Sequence, residues 1–153
     1  MCIRDRHIWS LIGTEANASW STDKKGLALM AAGVNARAID FAKIGKLVLN
    51  NGSWGEKPIL EKEWIKKSTQ ENSIDRYSYC YHWYKSSIRN FDEEGIQDYY
   101  AAGIWGQIMY VSPASNTIII RFGKSKGNFA EEIDGGTWND RIIKFANYNF
   151  KIK

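Results

Sequence analysis

The chain has 153 residues, of which 44% are hydrophobic and 25% are charged. This composition is typical of one globular domain or of part of a larger one, and it excludes a disordered segment. Two cysteines cannot form a disulfide framework, and no apolar run approaches the roughly 20 residues needed to cross a bilayer. The net charge of +4 comes from 21 basic and 17 acidic residues interleaved along the chain, which favours a solvated surface over a nucleic-acid-binding patch.

The opening hexapeptide, residues 1–6 (MCIRDR), has neither the apolar run nor the cleavage site of a signal peptide. We therefore expect it to be a non-native leader and exclude it from the fold. Cys80 is then the single cysteine that bears on the fold, and its place between tyrosines in an alternating run predicts a small buried hydrophobic residue.

Two helices are predicted after an irregular opening over residues 7–33. The first has Asn35 as its N-cap and ends at Asn50-Asn51-Gly52, a strong left-handed terminator. Its apolar residues recur at helical spacing and include Ala38, Phe41, Ile44 and Val48. A shorter helix is predicted over residues 60–68, with Trp64 and Ile65 on its apolar side.

Three strands and a third helix follow. Alternating aromatic residues predict a strand over residues 77–83, and a polar connection over residues 89–98 leads into a second strand over residues 99–112. Turn residues at 113–116 join that strand to a third, residues 117–122, as an antiparallel hairpin. A helix beginning at Thr137 has an expected buried stripe of Trp138, Ile142, Phe145 and Ala146. The pattern predicts an α+β fold in which helices pack on an antiparallel sheet.

Metal and cofactor chemistry have no support in the sequence. His7 and His82 are the two histidines, and neither lies at the spacing of a metal-ligand motif. We predict that His82 is an ordinary strand histidine, that the chain binds no metal, and that it needs no cofactor.

One Ser-x-x-Lys motif occurs, at Ser21-Thr22-Asp23-Lys24. A serine nucleophile of this type needs a helix N-terminus and a desolvated lysine that accepts its proton. The neighbouring Asp23, Lys25 and Gly26 instead predict a hydrated turn and a charged lysine. We therefore predict that Ser21 is not a nucleophile.

Gly103 and Gly106 interrupt the second strand, next to the small residues Ala101 and Ala102. Glycine inside a strand indicates either a bulge or a backbone that another group approaches closely. Spacing alone favours the bulge, and both interpretations stay open on this ground.

Four segments in order resemble the β-lactamase-related serine hydrolases. They are residues 33–52 (GVNARAIDFAKIGKLVLNNG), 63–65 (EWI), 79–84 (YCYHWY) and 102–113 (AGIWGQIMYVSP). The family includes class C β-lactamases, D-alanyl-D-alanine carboxypeptidases, related esterases and 6-aminohexanoate-dimer hydrolases. The similarity runs from about Trp9 to the C-terminus, and the match is closer to those members that have Gly-Ile-x-Gly at the last segment.

The resemblance implies where the catalytic groups lie. The family's nucleophile motif, Ser-x-x-Lys, and its second motif, Tyr-x-Asn, would precede this chain. The third motif aligns with Ala101-Ala102-Gly103, and the absence of its lysine argues against β-lactam hydrolysis. The residue after that triplet donates a backbone N–H to the oxyanion hole in the family, which makes Ile104 the catalytic donor here. Gly103, Trp105 and Gly106 are the expected substrate-binding residues.

The resemblance also implies the domain organisation: residues 7–153 would be the incomplete C-terminal part of one β-lactamase-like domain. The expected partners are the missing N-terminal part and a small amide, ester or peptide substrate, with no nucleic acid and no membrane segment. An extracytoplasmic or periplasmic location rests on the resemblance alone.

Two other functions remain open from the sequence. One is a non-catalytic homologue that binds peptide or cell-wall ligands. The other is an aromatic-rich carbohydrate-binding module built on Trp54, Trp83 and Trp105, which would need exposed, coplanar rings. The hydrolase interpretation predicts instead that Trp83 is packed and that Trp105 lines a cleft.

Overall fold

The structure is a computed structural model, and it describes residues 7–29, 32–70, 79–86, 92–124, 138–146 and 148. The predicted leader, residues 1–6, lies outside these residues. The helices are α1 (Ala38–Leu49), α2 (Lys62–Gln70) and α3 (Trp138–Ala146). Two small antiparallel pairs join β1 (Ser19–Trp20) to β2 (Val34–Asn35) and β3 (Ser53–Trp54) to β4 (Lys57–Pro58).

The main sheet is antiparallel and five-stranded, in the order β5 (Tyr79–Cys80), β6 (Trp83–Lys85), β7 (Tyr99–Gly103), β8 (Gln107–Ser112) and β9 (Thr117–Arg121). The register pairs Tyr99 with Val111, and Val111 in turn with Ile118. The predicted α+β class, with helices packed on an antiparallel sheet, is therefore confirmed.

Helices cover both faces of the sheet. On one face, Val48 of α1 and Ile65 of α2 pack against Tyr99 and Val111. Gly45 lets α1 lie close to β9, because a Cβ at this position would come within 2.9 Å of the Cγ2 of Ile118. On the opposite face, two residues of α3 complete a second buried cluster, whose members are Ile108, Tyr110, Ile142 and Ala146.

Cys80 is buried, as the sequence predicts, and its thiol contacts the carbonyl oxygen of Lys67 at 3.3 Å. The end of α1 also follows the prediction, because Asn51 (φ 52°) and Gly52 (φ 86°) adopt left-handed conformations. The N–H of Gly52 then donates to the carbonyl of Leu47 at 2.8 Å and closes the helix.

The start of α1 differs from the prediction. Arg37 is the extended residue before the helix, and no side chain caps it. Asn35 instead pairs with Ser19 between β1 and β2, so its assignment as the N-cap was wrong. The sequence pattern missed this because a two-residue strand leaves no periodicity to recognise.

The apolar sides of the other two helices are only partly as predicted. Ile65 is buried, whereas Trp64 is 44% exposed and lies edge-on to Tyr81 with ring centroids 5.1 Å apart. Ile142 and Ala146 are buried in α3, whereas Phe145 is 59% exposed. The predicted helix start, Thr137, lies outside the described residues.

The aromatic run at residues 77–83 does not form the single predicted strand. Its described part folds back between β5 and β6, where Tyr81 (φ 43°) and His82 (φ 75°) form a two-residue turn. Such hairpin turns usually contain glycine or asparagine, so the sequence gave no signal for one here. His82 consequently lies in a turn, and its assignment to a strand was wrong.

Residues 99–112 likewise form two strands rather than one. The chain reverses through a short 3-10 turn, Ile104–Gly106, and β8 then pairs back along β7. Trp105 (φ 65°) and Gly106 (φ 74°) make the reversal. The next hairpin is confirmed: β8 and β9 pair through the turn at residues 113–116.

A buried carboxylate anchors the start of β7. Asp98 is fully buried, and its two oxygens accept hydrogen bonds from the hydroxyls of Tyr110 (2.6 Å) and Ser112 (2.9 Å). Its carbonyl accepts the N–H of Ser86 at 2.8 Å. These bonds link the end of β6, the start of β7 and strand β8.

The buried tyrosines predict a loss of stability in alkali. Burial raises the pKa of Tyr99 and of Tyr110 above the ordinary value of 10.0, and the negative charge of Asp98 raises both further. An unfolded tyrosine loses its proton near pH 10 while the folded one keeps it, so the stabilisation present below about pH 10 is lost as the pH rises. We expect the free energy of unfolding to fall by up to about 1.4 kcal/mol per pH unit for each tyrosine. Urea unfolding measured between about pH 9 and 11 checks this; an unchanged free energy would contradict it.

Candidate functional site

An open groove of about 860 Å³ lies at one end of the sheet. Its lining comes from the β1–β2 region, from α1, from the main sheet with its β5–β6 and β7–β8 turns, and from the segment after β9. The residues that line it are Trp20, Ser21, Leu29, Ala32, Gly33, Val34, Asn35, Ala36, Phe41, Tyr79, His82, Tyr84, Ala101, Ala102, Gly103, Ile104, Trp105, Gln107, Ile108, Met109, Ile120 and Phe122.

The β7–β8 turn contributes Ile104 and Trp105 to the lining of this groove. Gly103 and Gln107 make the last pair of the β7–β8 ladder, so Ile104 lies just beyond it. Ile104 is 75% exposed and Trp105 is 43% exposed. The turn is therefore an exposed loop that lines the groove.

Two side-chain hydrogen bonds hold the turn from behind. A guanidinium nitrogen of Arg121 donates to the carbonyl of Gly106, and the amide of Gln107 donates to the carbonyl of Gly123 at 2.9 Å. A Cβ on Gly106 would collide with the Arg121 guanidinium, and its φ of 74° also favours glycine. Glycine at 106 is therefore needed for the shape of the turn.

The structure brings three of the four predicted site residues to the groove. Gly103, Ile104 and Trp105 line it, while Gly106 is buried behind the turn. The role of Ile104 as an oxyanion donor stays a prediction, as do the substrate-binding roles of the other three.

Ser21 also lines the groove, which the sequence could not show. Its backbone N–H donates to Gly33 at 2.8 Å, and its carbonyl accepts the N–H of Leu29 at 3.0 Å. Lys24 lies in an exposed turn, where the Asp23 carboxylate accepts backbone N–H groups. This Ser-x-x-Lys therefore lies in the segment and turn that follow β1, not at the start of a helix.

His82 is a second lining residue that sequence reasoning missed. One nitrogen of its ring shares a hydrogen bond with the hydroxyl of Tyr79 at 3.1 Å. From Tyr79, rings in register cross the sheet to Tyr84 and Tyr100, at centroid distances of 4.6 and 5.2 Å. The wall of the groove is thus continuous with a packed aromatic row.

The lining carries no formal charge from Asp, Glu, Lys or Arg. Its polar groups are hydroxyls, side-chain amides, backbone groups and the imidazole of His82. Across the described residues, no group of three or more His, Cys, Asp or Glu side chains could hold a metal ion.

Comparison with known proteins places this arrangement in a wider group, although no family model matches the chain. A 6-aminohexanoate-dimer hydrolase from Paenarthrobacter ureafaciens is 20% identical over 127 residues, which are 75% of this chain and 31% of that protein. A solved structure from Bacillus anthracis, assigned as a 6-aminohexanoate-dimer hydrolase, superposes with a TM-score of 0.70 and 29% identity. It covers 82% of this chain and 32% of the other.

In sequence and fold the chain is similar to β-lactamase-related hydrolases. A solved structure from Bacteroides dorei DSM 17855, assigned as a β-lactamase, shares the fold with a TM-score of 0.59 at 14% identity. That superposition covers 94% of this chain and 50% of the other. The chain spans about a third of the length of the 6-aminohexanoate-dimer hydrolases that it resembles. In the part of the chain that the structure describes, no helix is long and apolar enough to span a membrane.

Proposed function

We propose that this chain is the C-terminal part of a serine hydrolase that cleaves an amide or ester by acyl transfer. In this proposal residues 7–153 supply the strand and turn of the oxyanion hole, and the nucleophile lies in a preceding part of the same domain. The observation that supports it most directly is the position of Ile104, just past the end of a ladder and at the mouth of the groove.

In this proposal the backbone N–H of Ile104 donates a hydrogen bond to the oxyanion. When a serine attacks a carbonyl carbon, the carbonyl oxygen becomes an oxyanion, and fixed N–H donors stabilise it in the transition state. Losing one such donor typically costs about 3 kcal/mol. The bonds from Arg121 and Gln107 hold this turn before substrate arrives, so little reorganisation is needed during the reaction.

The neighbouring residues fit the same task. Gly103 is an extended residue without a side chain, and the small Ala101 and Ala102 keep the approach along β7 open. Trp105 walls the groove next to the donor and would contact the acyl group of the substrate. Gly106 fixes the turn that carries both residues.

The proposal predicts where covalent labelling occurs. A fluorophosphonate probe should react with the complete protein, and peptide mapping should place the adduct at a serine of an upstream Ser-x-x-Lys that opens an apolar helix. Ser21→Ala should label as well as the wild type, because Ser21 follows strand β1 and does not lie at a helix N-terminus, and Lys24 lies in an exposed turn. A stoichiometric adduct on Ser21, or a complete coding sequence without an upstream Ser-x-x-Lys and Tyr-x-Asn, would overturn the proposal.

The other functions receive less support. The three tryptophans proposed for a carbohydrate-binding surface have different surroundings: Trp83 lies edge-on to Tyr99 at 90°, and Trp54 lies under the Lys46 ammonium at 5.4 Å. Of the three, Trp105 alone lines the groove. A non-catalytic peptide-binding homologue would share this groove but would lack a reactive serine, so the labelling experiment separates it from the hydrolase.

A further inference from the structure

The β7–β8 turn has a backbone conformation that its sequence does not favour. Trp105 (φ 65°) and Gly106 (φ 74°) are two successive residues in the left-handed region. Glycine adopts this conformation at little cost, whereas a residue with a Cβ, such as tryptophan, loses free energy there. Such a conformation persists only where the surrounding structure stabilises it. Contacts from outside the turn must therefore hold Trp105 in place.

Those contacts come from the end of β9 and from the segment after it. A guanidinium nitrogen of Arg121, the last residue of β9, donates to the carbonyl of Gly106. Gly123 lies directly against the carbonyl of Trp105, because a Cβ at position 123 would overlap that oxygen. The side-chain amide of Gln107 donates to the carbonyl of Gly123 at 2.9 Å and joins the two segments again. The carbonyl groups of both left-handed residues are thus in contact with Arg121 or Gly123.

We infer that Arg121 and Gly123 are positioning residues for the oxyanion donor: they hold the left-handed turn and thereby fix the place of the Ile104 N–H. The inference rests on the proposed function and deepens it by naming the groups that keep the donor in position. Neither residue belongs to the lining of the groove that the described residues form. Both therefore act on the main chain of the turn rather than on the substrate.

The physical basis is the precision that a fixed donor needs. A hydrogen bond from a guanidinium to a carbonyl is charge-assisted, and it is stronger than one between neutral groups. Without it, Trp105 can relax towards a negative φ and move Ile104, its neighbour in the turn. A misplacement of about 1 Å in an active site can cost about 100-fold in rate. Loss of the Arg121 guanidinium should therefore lower catalysis through a donor that it does not itself replace.

Replacing Arg121 with methionine in the complete protein removes the guanidinium and keeps an apolar side chain of similar length. We expect kcat/KM for a p-nitrophenyl ester to fall by about 10-fold or more. Arg121→Lys retains a cationic donor and should recover part of this loss. Gly123→Ala displaces the Trp105 carbonyl from another direction and should also lower kcat/KM, so it keeps the test decisive if Arg121→Met does not fold.

The matched control is Ile118→Val, which lies in the same strand at the end remote from the turn and pairs with Val111. Ile118 packs on Gly45 of α1, so the loss of one methyl group should lower the melting temperature. Its kcat/KM should stay within about 2-fold of the wild type, because the turn is untouched.

A double-mutant cycle separates positioning from a general loss of structure. In a variant whose Ile104 is replaced by its α-hydroxy acid, an oxygen stands in place of the backbone N–H. If Arg121 acts through this N–H, adding Arg121→Met to that variant should lower kcat/KM by less than about 2-fold. If Arg121 has a merely structural role, the two losses should multiply.

The outcomes separate this inference from the proposed function. Wild-type kcat/KM in both Arg121→Met and Gly123→Ala, or losses that multiply in the cycle, would overturn the inference. The hydrolase proposal would still stand if the fluorophosphonate labels an upstream serine in the same protein. A complete protein that neither labels nor cleaves any ester would overturn both.

Discussion

Replacing Ile104 with proline in the complete protein should reduce kcat/KM by about 100-fold or more, whereas Ile104→Ala should retain most of the activity. Proline removes the backbone N–H that would bind the oxyanion, while alanine keeps it and removes only an exposed side chain. Steady-state hydrolysis of a p-nitrophenyl ester measures both variants. The contrast between them is diagnostic because the proposed chemistry belongs to the main chain.

Proline also restricts φ, so the folding of the Ile104→Pro variant must be compared with the wild type by circular dichroism. A cleaner variant replaces Ile104 by its α-hydroxy acid, which exchanges the N–H for an oxygen and keeps the side chain. We expect a similar loss of kcat/KM in this ester-backbone variant. Activity close to the wild type in this variant, or an equal loss in Ile104→Ala, would refute the assignment of the donor.

Asp98→Ala should lower the free energy of unfolding by about 3–5 kcal/mol. The carboxylate is fully buried and accepts the hydroxyls of Tyr110 and Ser112, so its removal leaves two buried donors without their acceptor. Each unsatisfied buried donor costs about 1–3 kcal/mol. Urea unfolding of the complete protein, followed by far-ultraviolet circular dichroism, gives the change.

The matched control is Glu94→Ala, which removes a carboxylate from an exposed turn in the preceding connection and should change the free energy by less than about 0.5 kcal/mol. Asp98→Asn should lie between the two, because the amide oxygen still accepts one hydroxyl while its NH₂ group faces another donor. A loss below about 1 kcal/mol in Asp98→Ala would show that the network contributes little to stability.

Local sequence signals predicted those parts of the fold whose geometry is decided locally. The end of α1 at Asn51-Gly52 follows from residues that tolerate a left-handed backbone. The β8–β9 hairpin follows from a β-branched run behind turn residues, and its register is confirmed. Helix α2 was found but begins later than predicted, since helix starts depend on capping geometry that this sequence does not mark.

Two reversals could not be predicted because tertiary packing, not local preference, decides them. The β5–β6 turn places Tyr81 and His82 at positive φ, a conformation that costs free energy for residues with side chains. At the β7–β8 turn, Trp105 also has a positive φ, and the guanidinium of Arg121 in β9 donates to the carbonyl of the next residue, Gly106. Because both turns lie within alternating aromatic or apolar runs, the pattern alone predicted continuous strands.

The residues of the candidate site were likewise predicted only in part. Gly103, Ile104 and Trp105 were found because adjacent residues carry the family motif. Ser21 and His82 come to the groove from distant segments, and their positions depend on how the β1–β2 pair and the β5–β6 turn meet the sheet. Such convergence has no counterpart in sequence spacing.

Strand β9 has the composition of an interior strand but the position of an edge strand. Its central residues are three consecutive isoleucines, and helices pack on both of its faces. Yet β9 is the last strand in the sheet order, and among the described residues no strand pairs with its outer side. Half of the main-chain polar groups of such a strand must find their partners in water or in another strand. The solubility of any protein that carries this sheet therefore depends on what covers that row of amides.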